Sequence, residues 1–597
     1  MLSALYLPYK ENKRHAFELS LIDFVERAPK GEVLILHAPT GAGKTHAVLE
    51  LTRRVEGVLL CVPTNALAAE IEEVYSRNFS RSVARWNAEA FLERGTRSGI
   101  SRHETMIEDA RGKSLIVSNP DILHLFTQHE YVPKDSGFWS RLRLSGFGMK
   151  NLDLLVFDEY HAYDERVLAS VLVYILKSRK TKDNRQKFVF MSATPDEGLP
   201  ITLKKLEIPF TEAPRDEPTT EELDQDRGRL IKGPIEVEVC SKPITASIPS
   251  SPPSQRTLFI FSTFLDQQIA VRFLKRHGLQ EADCEGGFVQ ITGRKTHSEK
   301  GQDTWERASI LLATSKVEVG LNISRLDRIV MEPGWTEQQF WQRFGRAARG
   351  KPAQVTLHFP GYPEGILAPL RSARTYMDMA CAIQSLLGEE RQHIDTILHF
   401  VGAYAGSYHE NTPHSADWKV LEMESLPAAV QKGYGLVQKM LRSWDKDETK
   451  DASGGSNYWM KRIRLSLRSL RGQMLRVRTI YEWAPDDPVE ESILYVLTRT
   501  EWHREDDTYW VREFLERPKD ASLHYNLLDG AEATVAVRGG RLKRNEFLNL
   551  PRKMRSVMQQ EFGQHLPPFW EALITWLELV PPDEIPPKEV TPDDVFL

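Results

Sequence analysis

The sequence predicts an α/β protein: two parallel-sheet units in tandem, then a mixed, mainly helical C-terminal domain. Three observations predict it. Residues 31–210 alternate short Val/Ile/Leu/Phe-rich runs with polar, helix-like segments, the pattern of a parallel sheet covered on both faces. The alternation starts again at about residue 233 and runs to about 359. From about Leu370 it stops.

In the first unit, residues 33–37, 57–62, 114–118, 152–157 and 187–191 read as buried strands, and 66–79 and 164–179 as helices. Residues 216–226 are acidic, lack an apolar period and read as a connector. In the second unit, 233–239, 257–261, 288–292, 310–314, 328–332 and 354–359 read as strands and 263–277 as a helix. The Ser- and Pro-rich stretch 241–255 reads as a long loop. Further on, 377–388 is helix-like and 445–456 is a charged, Gly/Ser-rich linker. Residues 508–516 and 552–564 add elements, and the tail from Pro581 has too little to bury. The expected domains are therefore 1–214, 215–372, 373–580 and the tail 581–597.

Composition narrows the class. Lys and Arg number 78 against 83 Asp and Glu, a net charge of −5, which excludes a chain basic all over but not a local basic groove. Hydrophobic residues make up 41% and charged residues 27%, as in a globular protein. Cys61, Cys240, Cys284 and Cys381 are too far apart to form a metal knuckle, and their scarcity fits a reducing cytoplasm. No apolar run approaches the ~18 residues of a membrane span.

The first chemical motif is Ala38-Pro39-Thr40-Gly41-Ala42-Gly43-Lys44-Thr45, between an apolar strand and a helix-like stretch. That is the context of a phosphate-binding loop. Gly41 and Gly43 let backbone N–H groups turn toward phosphate oxygens, and the helix N-terminus adds partial positive charge. Lys44 would reach the β- and γ-phosphates of ATP, and the Thr45 hydroxyl would ligate Mg²⁺. The second motif, Asp158-Glu159-Tyr160-His161, follows strand 152–157. Carboxylates at that end of a strand face the ligand crevice of an open α/β sheet. Asp158 would hold Mg²⁺ and Glu159 would polarise the attacking water.

With these two motifs the sequence resembles the superfamily 2 helicases of the DExD/H type, here spelled DEYH. Pro63-Thr64-Asn65-Ala66-Leu67 is similar to that family's PTxxL motif, and Ser118-Asn119-Pro120-Asp121 to a strand-binding motif. Ser192-Ala193-Thr194 matches SAT, and Thr314 with Glu318-Val319-Gly320-Leu321-Asn322 resembles TxxxExGxD. Residues 342–349, Gln-Arg-Phe-Gly-Arg-Ala-Ala-Arg, match QRxGRxxR in full. The resemblance covers roughly residues 1–370. It implies two RecA-like domains closing on ATP, with Arg346 and Arg349 as fingers on the γ-phosphate and Gln342 orienting water or phosphate. It also implies nucleotide contacts at Gly320 and Asn322, and nucleic-acid contacts at Pro63, Thr64, Asn65, Asn119 and Thr314. Ser192 and Thr194 would couple hydrolysis to movement.

Two departures stand out. No glutamine precedes Gln128, so the adenine-reading glutamine upstream of the loop is missing, and Tyr9 is either a base-stacking ring or core. Asn322 replaces the usual aspartate, and its amide can still bond a ribose hydroxyl.

The motif spellings resemble the CRISPR-associated helicases recruited by Cascade-like complexes. There are 17 histidines and none precedes an aspartate, so the expectation is a stand-alone motor, with a partner subunit of the effector complex carrying the nuclease. The run Arg468-Ser469-Leu470-Arg471-Gly472 before a β-like 475–481 resembles the type I-D lineage. The resemblance implies a monomeric, ATP-dependent translocase on single-stranded DNA, without a membrane partner. The alternative is a DExH RNA helicase or a repair helicase outside CRISPR; a nucleotide-gated docking subunit is opposed by the intact Lys44, Glu159 and Arg349.

Outside the motor, residues 461–478 hold seven Lys or Arg and no acid, and read as a basic helix that tracks phosphates or a solvated face. Residues 535–544, centred on Gly539-Gly540, read as a surface hairpin or strand-separating pin. Trp86, Trp335 and Trp341 are either base-stacking or packing residues.

Overall fold

The structure is a computed structural model of the 597-residue chain. It describes most of residues 1–435, with gaps of which the longest are 95–101, 128–150, 292–307, 315–322 and 412–425, and five strands between 476 and 536.

The chain opens with β1 (Leu5–Pro8) and helix α1 (Ala16–Arg27). The first large sheet then forms from β2 (Val33–His37), β3 (Val58–Cys61), β4 (Val83–Trp86), β5 (Leu115–Ser118), β6 (Leu154–Asp158), β7 (Lys187–Ser192) and β8 (Phe210–Glu212). Its seven strands are all parallel, in the order β4-β5-β3-β6-β7-β2-β8. Every residue of β2, β3, β5 and β6 is buried, which is why these runs are apolar without alternation. The crossovers carry α2 (Lys44–Leu51), α3 (Asn65–Asn78), α4 (Arg102–Gly112), α5 (Pro120–Thr127), α6 (Glu165–Lys180) and α7 (Gly198–Lys205).

The second sheet comprises β10 (Ile235–Cys240), β11 (Thr257–Ile260), β12 (Phe288–Ile291), β13 (Ile310–Ala313), β14 (Arg328–Met331) and β15 (Ala353–His358). It too is parallel, in the order β10-β15-β14-β11-β13-β12. Helices α8 (Phe264–Arg276), α9 (Glu337–Phe344), α10 (Glu364–Ser372) and α11 (Tyr376–Leu386) accompany it. Leu367, Leu370, Met379, Ile383 and Leu387 share one buried cluster with Leu258, Ile329 and Leu357, so the chain stays with the second domain as far as residue 387. The tandem RecA-like architecture is thus present.

Two features lie outside that alternation. β9 (Gly228–Lys232) joins neither large sheet and pairs antiparallel with β1. Helix α12 (Ile394–Asn411) turns back and packs against α6 and α7 of the first domain. There Tyr404 is fully buried, its ring edge-on to His124 with centroids 4.9 Å apart, and its hydroxyl accepts from Arg166 Nε at 3.3 Å.

The C-terminal region is mixed. It ends among the described residues in an antiparallel sheet of β16 (Arg476–Tyr481), β17 (Ala484–Ser492), β18 (Thr500–Glu505), β19 (Thr508–Glu513) and β20 (Ala533–Ala536). The β-like reading of 475–481 holds, so the last residues of the basic stretch 461–478 are strand and not helix. Val535 lies in β20, between β16 and β19, at the middle of the sheet. Residues 461–475 and 537–544 lie outside the described residues. No described helix is long and apolar enough to cross a membrane.

Candidate active site in the cleft between the two sheets

The site is built from loops at the C-terminal ends of β2, β6 and β7. After β2 the chain must turn sharply into α2. Gly41 and Gly43 do this at φ +88° and +97°, backbone conformations that a side chain strains. Gly43 is the N-cap of α2, and Lys44 and Thr45 form the helix's first turn. The Lys44 ammonium is buried and donates to the Ala38 carbonyl at 2.9 Å. It lies 3.8 Å from Glu159 Oε1.

Asp158 ends β6, and Thr45 Oγ1 donates to its Oδ2 at 3.1 Å. Two strands separated in sequence thus place one hydroxyl and one carboxylate together. Both are hard oxygen donors, so they fit Mg²⁺, which would supply positive charge beside the phosphates. Burial, then the Glu159 charge, push the Asp158 carboxyl up to about 7, against Lys44 and the Thr45 hydrogen bond. A carboxylate disfavoured in this way is one that a divalent cation would relieve.

Glu159 has a left-handed backbone, φ 49° and ψ 44°, which swings its side chain into the cleft before the short 3₁₀ turn Tyr160–Ala162. Burial raises its pKa, but Lys44, His161 and Arg346, with the Ala193 N–H, outweigh burial and bring it below the ordinary value. Its Oε2 is buried and makes no hydrogen bond. The result is a carboxylate held ionised between Lys44 and His161, whose Nδ1 stands 3.4 Å from Oε2. His161 Nδ1 lies 2.7 Å from Ser192 Oγ at the end of β7, and burial lowers the imidazole pKa against the pull of Glu159. The neutral ring therefore ties the DEYH turn to the SAT turn.

Arg346 comes from the other domain, just past α9, and its charge acts on Glu159 across the cleft. Gln342 lies half-buried on α9 itself. Thr64 is the N-cap of α3, its Oγ1 accepting from Leu67 N at 3.3 Å. Asn119 Nδ2 donates to Asn65 Oδ1 at 2.7 Å, and Asn119 Oδ1 accepts from Ile122 N at 3.0 Å. Pro63, Thr64, Asn65 and Asn119 thus cluster at the ends of the paired strands β3 and β5. Thr314 follows β13 of the second sheet. Thr194, Gly320, Asn322 and Arg349, like Trp335, lie outside the described residues.

Several aromatic residues turn out to be packing. Trp86 is 2% exposed and donates from Nε1 to Asp109 at 2.9 Å, so it is closed to a base. Trp341 packs edge-on against Phe340 and Phe344. Tyr9 lies on His15, ring centroids 4.7 Å apart, and His15 stacks on Phe17.

Sequence reasoning gave no role to Arg343, although it falls inside the quoted motif. Arg343 is 1% exposed, and its Nη1 donates to Ser262 Oγ at 3.0 Å and to the Glu332 carbonyl at 2.9 Å. It locks the turn carrying Arg346 onto the ends of β11 and β14. It also missed Arg229 and Lys232 on β9. Arg229 Nη1 donates to the Ala42 carbonyl at 3.4 Å, and Lys232 Nζ donates to the Phe344 and Ala347 carbonyls at 3.3 and 3.1 Å.

Residues 22–200 match the DEAD/DEAH box helicase family, and residues 252–351 match the helicase conserved C-terminal domain. The first match falls on the first sheet and the second on the second sheet, so the two helicase domain models lie in tandem on the two parallel-sheet domains. No functionally curated protein matches the chain. Among solved structures, the chain is similar to the Mycobacterium smegmatis helicase Lhr bound to ssDNA and AMP-PNP, at 15% identity and a TM-score of 0.46. That similarity covers 71% of this chain and 55% of Lhr, so the chain spans about half of Lhr's length. It is also similar to the DUF1998 helicase MrfA bound to DNA, at 14% identity and a TM-score of 0.49, over 86% of this chain and 68% of that one. The Escherichia coli DEAH/RHA helicase HrpB gives 14% identity and a TM-score of 0.38, over 78% and 63%.

Proposed function

We propose that this chain is an ATP-driven translocase on single-stranded DNA that separates duplex DNA. One observation carries the reading: the turn of the second domain that presents Arg346 is bonded by Lys232 of β9, the strand whose Arg229 bonds the phosphate loop of the first domain. Hydrolysis then depends on the two domains meeting. Glu159, ionised and 3.8 Å from Lys44, orients the water and draws its proton as the new bond to the γ-phosphorus forms and the bond to the β,γ-bridging oxygen breaks, releasing ADP and phosphate. Arg346, with Arg349, stabilises the charge growing on the γ-phosphate oxygens. Thr45 and Asp158 hold Mg²⁺, and Gln342, Gly320 and Asn322 complete the nucleotide contacts. The hydrogen-bonded His161–Ser192 pair, with Thr194, carries the state of this site to the strand-gripping residues.

Thr64, Asn65 and Asn119 on the first domain and Thr314 on the second grip the strand, so closure shortens the distance between two grips. The place of this motor in CRISPR interference, feeding single strand to a nuclease on a partner subunit in the cytoplasm, is supported by the spelling DEYH and by the absence of a His-Asp pair in the sequence.

The test measures ATPase activity with single-stranded DNA, with RNA and with neither, and unwinding of a tailed DNA duplex. Stimulation by DNA, unwinding only with ATP and Mg²⁺, and uncut product strands are expected. Stimulation by RNA alone would move the chain to the RNA helicases, and strand separation without ATP would remove the motor.

A further inference from the structure

The short strand β9 lies between the two halves of the ATP site and touches both. Arg229 and Lys232 are three residues apart on it, with a bulge at Ile231 between them: Arg229 pairs with Leu7 and Lys232 with Leu5 of β1. Arg229 donates to the Ala42 carbonyl of the phosphate loop. The approach is close: a Cβ on Gly43 would stand 2.9 Å from Arg229 Nη1, and one on Gly41 would stand 3.4 Å from the Ile231 carbonyl. Lys232, 7% exposed, bonds the carbonyls of Phe344 and Ala347 through its ammonium.

Those carbonyls belong to the turn that presents Arg346. Helix α9 ends at Phe344, and its last carbonyls carry partial negative charge, which a buried ammonium offsets. The chain then tightens, with Arg346 N donating to Arg343 O at 3.1 Å and Ala347 N to Phe344 O at 3.0 Å. Ala348 takes a left-handed φ of 55°, a conformation that costs an alanine energy, and its carbonyl accepts from Gly233 N at 2.8 Å. The Arg346 backbone is thus fixed at two points: by the Arg343 guanidinium on the β11 and β14 side, and by Lys232 and Gly233 on the β9 side.

We propose that Lys232 is a positioning residue for the Arg346 finger, and that β9, seated on the phosphate loop through Arg229, makes the aim of the finger depend on that loop. The proposal rests on the reading of the cleft as an ATPase site. A finger works only within a narrow geometry, and a displacement of about 1 Å costs ~10²-fold in rate. The Lys232 ammonium bonds the carbonyls of the turn that presents Arg346, so its loss acts through Arg346.

The experiment compares wild type, Lys232→Met, Lys232→Arg, Arg346→Ala and the Lys232→Met/Arg346→Ala double variant. It measures steady-state ATPase with single-stranded DNA, and affinity for a fluorescent non-hydrolysable ATP analogue. Lys232→Met is expected to lower kcat ~10²-fold and to leave analogue affinity within about threefold. Lys232→Arg, which keeps a charged donor, is expected to recover most of the rate. The double variant is expected to be no slower than Arg346→Ala alone. Should Lys232→Met not fold, Lys232→Gln, with an amide donor for the same carbonyls, is expected to show a smaller loss confined to kcat. Full additivity in the double variant, a loss confined to KM, or a wild-type kcat in Lys232→Met or Lys232→Gln would overturn the proposal. An inactive wild type overturns the ATPase reading together with it, whereas an active wild type with additive losses overturns the positioning role alone.

Discussion

Replacing Tyr404 with alanine tests whether α12 is held by the first domain. The ring is fully buried, stands edge-on to His124 at 4.9 Å and stacks on Phe400 at 6.0 Å. Truncating a buried aromatic of this size costs ~3–5 kcal/mol. The hydroxyl's bond to Arg166 accounts for ~0.5–1.5 kcal/mol of it. The cost falls on the contact between α12 and α6 and not on the second sheet, whose core contains no residue of α12. At about 1.4 kcal/mol per tenfold change in an equilibrium constant, opening of α12 becomes ~10²–10³-fold more frequent. Hydrogen exchange read by mass spectrometry over residues 394–411 measures this, with 353–358 as the internal control. Exchange in α12 should accelerate by that factor in Tyr404→Ala and by about tenfold or less in Tyr404→Phe, while β15 is unchanged. Unchanged exchange in α12 would refute the packing argument, and equal acceleration in β15 would show that the domain assignment is wrong.

Three further outcomes are expected. Lys44→Ala should abolish nucleic-acid-stimulated hydrolysis, and Glu159→Gln should lose ~10²–10⁴-fold in turnover while still binding ATP; turnover near wild type in Glu159→Gln would remove it as the water-polarising group. Arg346→Ala and Arg349→Ala should each cut kcat by ~10³-fold or more with little change in KM, and a pure rise in KM would make them ground-state contacts. Glu332 is pushed up to about 7 from 4.5, first by burial and then by Asp266, against the Ser262 N–H and Arg343. The folded chain therefore holds that proton when the unfolded chain has lost it, and this contribution to stability is present below pH 4.5 and lost as pH rises through 7. Glu332→Gln should gain on wild type by on the order of 2–3 kcal/mol between pH 4.5 and 8, read by denaturant unfolding at both ends; an equal difference at both pH values would count against it.

The legible parts of this chain were those where burial leaves no choice of residue. β2, β3, β5 and β6 are covered on both faces, so each is a run of apolar residues, and each motif begins where the run ends. Lys44, Glu159 and Arg346 were readable because the phosphate loop, the DEYH turn and the arginine motif are contiguous in sequence. β1 and β9 were not readable: β1 buries only Leu7 fully and contains Pro8, and β9 mixes Gly228, Arg229 and Lys232 with two apolar residues. Lys232 reads as a surface lysine because the carbonyls that bury it lie more than a hundred residues away. Trp86 was ambiguous for the same reason, since Asp109 satisfies its indole from another helix. α12 drew no reading from the sequence, and periodicity in any case does not say against which domain a helix packs.

The return of α12 gives the second domain an unusual suspension. It is an insertion, entered from β9 and left between Leu387 and Ile394, with both attachments on its neighbour. The far attachment is α12 itself, seated on α6 and α7 of the first domain. A body hung from two points keeps one easy rotation, about the line that joins them. Translation along the cleft and twisting across it are both checked by the second attachment. If the cleft is the ATPase site proposed above, its closure would follow that single arc.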